Sequence, residues 1–158
     1  MNKKGFTLIE LLVVIAIIGI LSAIVLASLD TARNKGNDAA VKSNLDNARS
    51  QASNFYDTNG LSYYTVCSTT PAGIMGMLQG AQAASGATAI ITANTVAGAA
   101  STVTCHDTTN GTAAGGTGWA AEAPLKTSAS TFWCVDSTGT STSHLSHIAS
   151  NAVVCTAG

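Results

Sequence analysis

Charged side chains are scarce in this chain. Asp, Glu, Lys and Arg make up 9 % of its 158 residues, where about 25 % is usual for soluble globular proteins. Seven Lys and Arg against eight Asp and Glu leave a net charge of -1. A nucleic-acid binder that works through a basic surface needs clustered Lys and Arg, and a charged disordered tail needs a long run of one sign. The composition therefore argues against both classes.

Motifs that carry catalysis or bind metals are also missing from the sequence. It contains no G-x-S-x-G, P-loop, H-E-x-x-H or paired-carboxylate cluster. Its four cysteines include no C-x-x-C pair, so their spacing does not suit zinc. His144 and His147 stand three residues apart, and the third histidine is His106. Such histidines are more often surface or loop residues than metal ligands. We predict that the chain is not an enzyme and has no metal site or cofactor.

Charge is absent altogether from residue 11 to residue 29, LLVVIAIIGILSAIVLASL. As a helix with a rise of about 1.5 Å per residue, this run spans roughly 28 Å, close to the thickness of a bilayer's hydrocarbon core. Lys3 and Lys4 precede the run, and the positive-inside rule then places the N-terminus in the cytoplasm. A long secretory signal peptide is the alternative, although its apolar core is usually shorter, about 7–15 residues, and ends at a cleavage site of small residues.

Glu10 separates these two interpretations. It lies at the front of the apolar run, four residues after Phe6. A carboxylate inside a bilayer costs about 2.5 kcal/mol or more and usually marks a functional position. A simple anchor gains nothing from this residue, and a signal peptide would be weakened by it.

The segment around Glu10, KGFTLIELLVVI at residues 4–15, resembles the class III leader and N-terminal helix of type IV pilins and the related pseudopilins. In that family a prepilin peptidase cuts after the glycine on the cytoplasmic side and methylates the new N-terminal amine. The resemblance implies cleavage between Gly5 and Phe6, N-methylation of Phe6, and a role for Phe6 and Glu10 in subunit assembly.

The implied organisation has three parts: a leader at residues 1–5, the transmembrane and assembly half of a stem helix at 6–29, and a head outside the membrane at 30–158. The head includes an amphipathic second half of the stem. Its helical stripe continues to a stop signal at Asn59-Gly60 and consists of Val41, Leu45, Ala48, Ala52, Phe55 and Tyr56. Asp38 and Lys42, at i and i+4, mark the solvated face of this helix.

Beyond the stem, the sequence predicts a short helix within 72–85, since its apolar residues recur at helical spacing. The Ala- and Thr-rich stretch 84–118 is expected to be a surface loop with one strand near 102–105. It contains a weak glycosylation sequon at Asn110. Antiparallel strands are predicted at 119–123, 130–136 and 140–145, with Trp133 and Val135 facing the stem. The fold class is therefore α+β: a long N-terminal helix and a small antiparallel sheet, as the pilin resemblance also implies.

The four cysteines are expected to form disulfides, since an even number in a segment outside the membrane favours oxidation. Four cysteines allow three connectivities. The segment from Cys134 to Cys155 resembles the disulfide-closed C-terminal loop of many pilins. We predict the pairs Cys134–Cys155 and Cys67–Cys105.

The function implied by the resemblance is that of a structural subunit that polymerises with its own copies into an extracellular type IV pilus, used in adhesion, twitching motility or DNA uptake. The implied partners are the prepilin peptidase, an inner-membrane assembly platform and, before assembly, membrane lipid. The chain would be a single-pass inner-membrane protein with a cytoplasmic N-terminus before it joins the filament. A pseudopilin of a type II secretion system is the alternative, although many pseudopilins bind calcium where this chain has a disulfide-like loop. A surface protein that only displays its head is disfavoured by the Gly5-Phe6 and Glu10 spacing.

Overall fold

The computed structural model describes residues 5–107, 116–128 and 130–155. They form two helices, α1 (Leu8–Thr58) and α2 (Met75–Ser85), and five strands: β1 (Ala89–Ile91), β2 (Thr102–Asp107), β3 (Trp119–Pro124), β4 (Phe132–Asp136) and β5 (Ser141–His144). This is the α+β class that the sequence predicts. The chain divides into two compact units, Met1–Asn34 and Lys35–Gly158, and each is described by itself.

The first unit contains the apolar part of α1. Every side chain described from residue 5 to residue 33 is exposed. The helix is long and apolar enough to cross a membrane. A helix with apolar residues on all sides needs a covering of lipid or protein.

The second unit has a hydrophobic core between the remainder of α1, α2 and one face of the sheet. From α1 it takes most of the stripe that the sequence predicts: Val41, Leu45, Ala48, Ala52 and Phe55. The sixth predicted member, Tyr56, is only half-buried and lies outside this core. Helix α2 contributes Leu78 and Ala81, and the sheet contributes mainly Val103, Cys105, Trp119, Ala121, Ala123 and Val135. Trp133 packs against the same cluster, so the predicted orientation of β4 is confirmed.

The five strands lie in sequence order, β1-β2-β3-β4-β5. Strand β1 runs parallel to β2, and the other neighbours are antiparallel. The last three strands lie close to their predicted spans. The strand expected near 102–105 is confirmed by β2, and the stretch 84–118 also contains β1, which its composition does not indicate. Strand β2 lacks an alternating pattern because both of its faces are covered. The sequon at Asn110 lies outside the described residues.

A second layer covers the face of the sheet opposite α1. This outer layer consists of segments 92–98 and 145–155. Ile148 packs against Ala120 and Cys134 on this face. Two backbone hydrogen bonds join the segments: Gly98 N donates to Ile148 O at 3.0 Å, and the amide of residue 151 donates to the carbonyl of residue 94 at 2.5 Å. The three central strands are thus covered on both faces, which a chain with few aromatic residues achieves by using small side chains.

The two disulfides join Cys67 to Cys105 and Cys134 to Cys155, which is the predicted pairing. The first connects the segment after α1 to the core face of β2. The second fastens the outer layer to β4. The two bridges therefore fix the chain on opposite faces of the same sheet.

The expectation that Asp38 lies on the solvated face of α1 is wrong. Its side chain is buried and accepts hydrogen bonds from the backbone of Lys126 and from Thr127. Lys42 instead places its ammonium group 4.5 Å from the centre of the Trp133 ring, a cation–π contact. The loop between β3 and β4 supplies the donors that make burial of the Asp38 carboxylate tolerable.

Candidate assembly site at the N-terminus of α1

The N-terminus of α1 is closed by reciprocal hydrogen bonds between Thr7 and Glu10. The backbone N–H and the hydroxyl of Thr7 donate to Glu10 Oε2 at 2.8 Å and 2.7 Å. Glu10 N donates to Thr7 Oγ1 at 3.3 Å. This is a capping box, in which a threonine and a glutamate three residues later satisfy helix-end N–H groups. The carboxylate that the sequence singles out is therefore held by its own helix in the single chain.

Glu10 lies beside exposed apolar side chains. A shallow groove of about 410 Å³ is lined by Glu10 together with Phe6, Ile9, Val13 and Val14. Phe6 is 89 % exposed. The two residues predicted to act in assembly, Phe6 and Glu10, thus share one surface. A negative charge among apolar side chains is a specific feature for a partner to recognise, because it disfavours any neighbour that brings no cation or hydrogen-bond donor.

Gly5 is not required by the fold. It is exposed, and a Cβ atom added at this position would meet no atom within 4 Å. The preceding leader residues 1–4 lie outside the described part of the structure.

The three histidines, which were candidate metal ligands in the sequence, lie on the outer face of the sheet and in the outer layer. His144 Nε2 and His147 Nδ1 lie 3.3 Å and 3.1 Å from the two oxygens of the buried Glu122. His106 lies between two backbone carbonyls instead. In the part of the chain that the structure describes, no three His, Cys, Asp or Glu side chains are placed to share a metal ion.

The sequence does not indicate that Glu122 associates with two histidines. Glu122 also accepts a hydrogen bond from Ile148 N at 3.0 Å. The only available sequence signal is the position of a carboxylate within a strand of alanines. That signal is too weak to indicate partners more than twenty residues away.

Residues 1–26 match the family model of the prokaryotic N-terminal methylation motif. The chain carries a prepilin-type N-terminus. Over 47 residues it is 55 % identical to the type IV wide pilus major component PilA4 of Thermus thermophilus, in an alignment that covers 30 % of this chain and 36 % of that protein. The matched segment thus spans about a third of the relative's length, and the pilin likeness in sequence belongs to the N-terminal region. No solved structure matches the chain.

Proposed function

We propose that this chain is the structural subunit of a type IV pilus and that it polymerises with its own copies through residues 6–29. The observation that carries the proposal is the exposed apolar helix with Phe6 and Glu10 in one groove at its tip. Water is a poor solvent for so large an apolar surface. Lipid covers it before assembly, with the N-terminus in the cytoplasm, and neighbouring copies cover it in the extracellular filament.

Processing by a prepilin peptidase prepares the subunit. The peptidase cuts between Gly5 and Phe6 and methylates the amine of Phe6. This step removes Lys3 and Lys4 and creates a new cation next to the capping box. The exposure of Gly5 and Phe6 suits access by an enzyme. Mass spectrometry of assembled material should find a chain that begins at methylated Phe6, and a retained Met1 would contradict this step.

Glu10 selects the register in which a new subunit joins. The apolar run contains no Lys or Arg, so the amine of Phe6 is the cation that the mature segment supplies. In axially staggered neighbours, Glu10 of one copy faces the amine of another. A buried charge is stabilised only when it is paired, so an incoming subunit in any other register leaves the Glu10 carboxylate unpaired.

Two substitutions separate this role from capping of the helix. Glu10→Leu removes the charge and also the capping box. Thr7→Val removes the hydroxyl from the capping box and keeps the charge. We expect Glu10→Leu subunits to insert, to be cleaved and to fold, and to form no filaments. Thr7→Val subunits should still assemble. Normal fibres made only of Glu10→Leu subunits would show that the charge does not direct assembly. Loss of fibres from both variants would assign the effect to the capping box instead of the charge.

A second experiment separates a pilus from a type II secretion pseudopilus. If this chain is a major pilin, fibres sheared from the cell surface contain it as their bulk protein. A secretion defect without surface fibres would favour the pseudopilin instead. We place adhesion and twitching motility ahead of DNA uptake, because from residue 58 onward the sequence holds one Lys and no Arg and so offers little attraction for phosphates.

A further inference from the structure

His106 joins both segments of the outer layer to the sheet. Its side chain points from β2 to the outer face and is fully buried. Nε2 lies 2.9 Å from the carbonyl oxygen of Val96 in segment 92–98. Nδ1 lies 3.0 Å from the carbonyl oxygen of Ala152 in segment 145–155. One imidazole ring therefore contacts each segment through a separate nitrogen.

The protonation state of His106 follows from these two acceptors. A carbonyl oxygen can only accept a hydrogen bond, and a neutral imidazole has one N–H and one nitrogen lone pair. A neutral ring would direct its lone pair at one of the two oxygens. That contact would be repulsive and would leave a buried carbonyl unsatisfied, which is costly. Only the imidazolium form, with an N–H on each nitrogen, satisfies both contacts.

The Asp136 carboxylate lies on the same face of the sheet as this ring. The strand register places Ala120 opposite His106 and Asp136 opposite Ala120, so the Asp136 side chain lies on the same outer face. Burial raises the pKa of Asp136, but hydrogen bonds, the first from Cys155 N, outweigh burial and hold that pKa below its ordinary value. Asp136 therefore remains a carboxylate at neutral pH.

The other titratable groups on the elements packed around His106 come from β2, β3, β5 and segment 145–155. Glu122 of β3 and His144 of β5 lie on the outer face, and His147 comes from segment 145–155. Segment 92–98 has no ionisable side chain. Asp107 follows His106 in β2, where burial raises its pKa and hydrogen bonds from Cys67 N and Asn94 oppose that rise. Three carboxyl groups thus accompany the three histidines.

We propose that His106 is a buried imidazolium at neutral pH and serves as a proton-dependent clasp that holds the outer layer on the sheet. Because the protonated ring satisfies both carbonyls, the clasp is closed while the ring keeps its proton. As the pH rises and the ring becomes neutral, one hydrogen bond is lost and the outer layer loosens.

The protonation state is tested on the full chain in detergent micelles with ¹⁵N-labelled histidine. The His106 signals are assigned by their absence from His106→Gln. At pH 7, both ring nitrogens of His106 should show the chemical shifts of protonated nitrogen, which a neutral ring cannot do. One unprotonated ring nitrogen at pH 6 to 7 would overturn the proposal. This measurement needs no folded variant, because the His106 spectrum of the unaltered chain decides it.

The clasp itself is tested by hydrogen exchange at the amides of Gly98 and Asn151, whose hydrogen bonds join the two segments. After correction for base-catalysed exchange, their protection should fall about tenfold as the ring is deprotonated, as expected for the loss of one hydrogen bond. His106→Gln should abolish this pH dependence. His147→Gln, which removes a histidine from the same layer, should retain it. If His147→Gln loses the pH dependence and His106→Gln keeps it, the dependence arises from the contact between His147 and Glu122, and the clasp is rejected.

Discussion

Asp38 illustrates how one carboxylate can fix a distant loop. Lys126 N donates to Asp38 Oδ1 at 2.6 Å, Thr127 N donates to Oδ2 at 3.2 Å, and the Thr127 hydroxyl also donates to Oδ2. We expect Asp38→Ala to lower the free energy of unfolding by about 2–4 kcal/mol, because it leaves several partly buried donors unpaired. Urea denaturation of the full chain in detergent measures this.

The matched control for Asp38 is Asp46, on the same helix. Asp46 is exposed and accepts one hydrogen bond, from Ser141 Oγ at 2.7 Å. Asp46→Ala should cost about 0.5 kcal/mol, as is usual for surface substitutions. Equal losses in the two variants would show that the contacts of Asp38 do not stabilise the fold.

Protonation of Asp136 at low pH is expected to lower the free energy of unfolding. Burial raises its pKa, but hydrogen bonds from Cys155, Thr138 and Thr140 outweigh burial, and the pKa lies below the ordinary 3.8. The stability from this group is therefore complete above pH 3.8 and is lost as the pH falls through the lowered value. We expect Asp136→Asn to lack this acid-dependent loss, although it is less stable at neutral pH. Unfolding midpoints measured from about pH 2 to pH 7 test this.

Asp107 serves as a control, because acid is expected to change its contribution to stability in the opposite direction. Burial raises its pKa above the ordinary value, so the folded chain binds a proton more readily than the unfolded chain. Its contribution to stability therefore grows as the pH falls through the raised value. Without that gain, Asp107→Asn should lose stability in acid more steeply than the unaltered chain. The same slope in both variants would contradict these assignments.

Helix α2 contains two glycines with different surroundings. A Cβ atom at Gly80 would lie 2.5 Å from Asn44 Oδ1 on α1, whereas one at Gly76 would meet nothing within 4 Å. Asn44 also donates to Ala40 O at 2.8 Å, so its side chain cannot move away without losing that bond. Gly76→Ala should raise stability by about 0.5–1 kcal/mol through helix propensity. Gly80→Ala should show no gain, and an equal gain at both positions in thermal unfolding would contradict the close approach of the helices.

The helices and strands differ in how well the sequence predicts them. The buried stripe of α1 and the orientation of β4 follow from hydrophobic periodicity, because each has one face against the core. Strand β2 is buried along its whole length, so periodicity carries no information there. The N-terminal residues Gly5, Phe6 and Glu10 can be singled out from sequence because they lie within one short motif. Asp38 is not, since its donor at Lys126 is 88 positions away.

In the whole molecule, the exposed apolar segment of α1 contributes no residue to the hydrophobic core. All the buried hydrophobic residues that the structure describes lie between Val41 and Ile148. We therefore expect a chain that starts at Lys35 to be soluble and monomeric, with both disulfides intact. The full chain should associate unless detergent is present, because residues 8–29 expose apolar side chains to water. Light scattering with size exclusion measures both. An unfolded or aggregated short chain would show that the core needs the N-terminal segment.

The disulfide pairing has a consequence for biogenesis. Each bridge joins cysteines that are neighbours in order along the sequence, the first with the second and the third with the fourth. A chain synthesised from its N-terminus presents Cys67 and Cys105 before Cys134 exists. When the last two thiols appear, the first two can already be oxidised. Of the three connectivities open to four cysteines, this is the one reached by oxidation in order of appearance, so the native form requires an oxidant but no reshuffling of mispaired bridges.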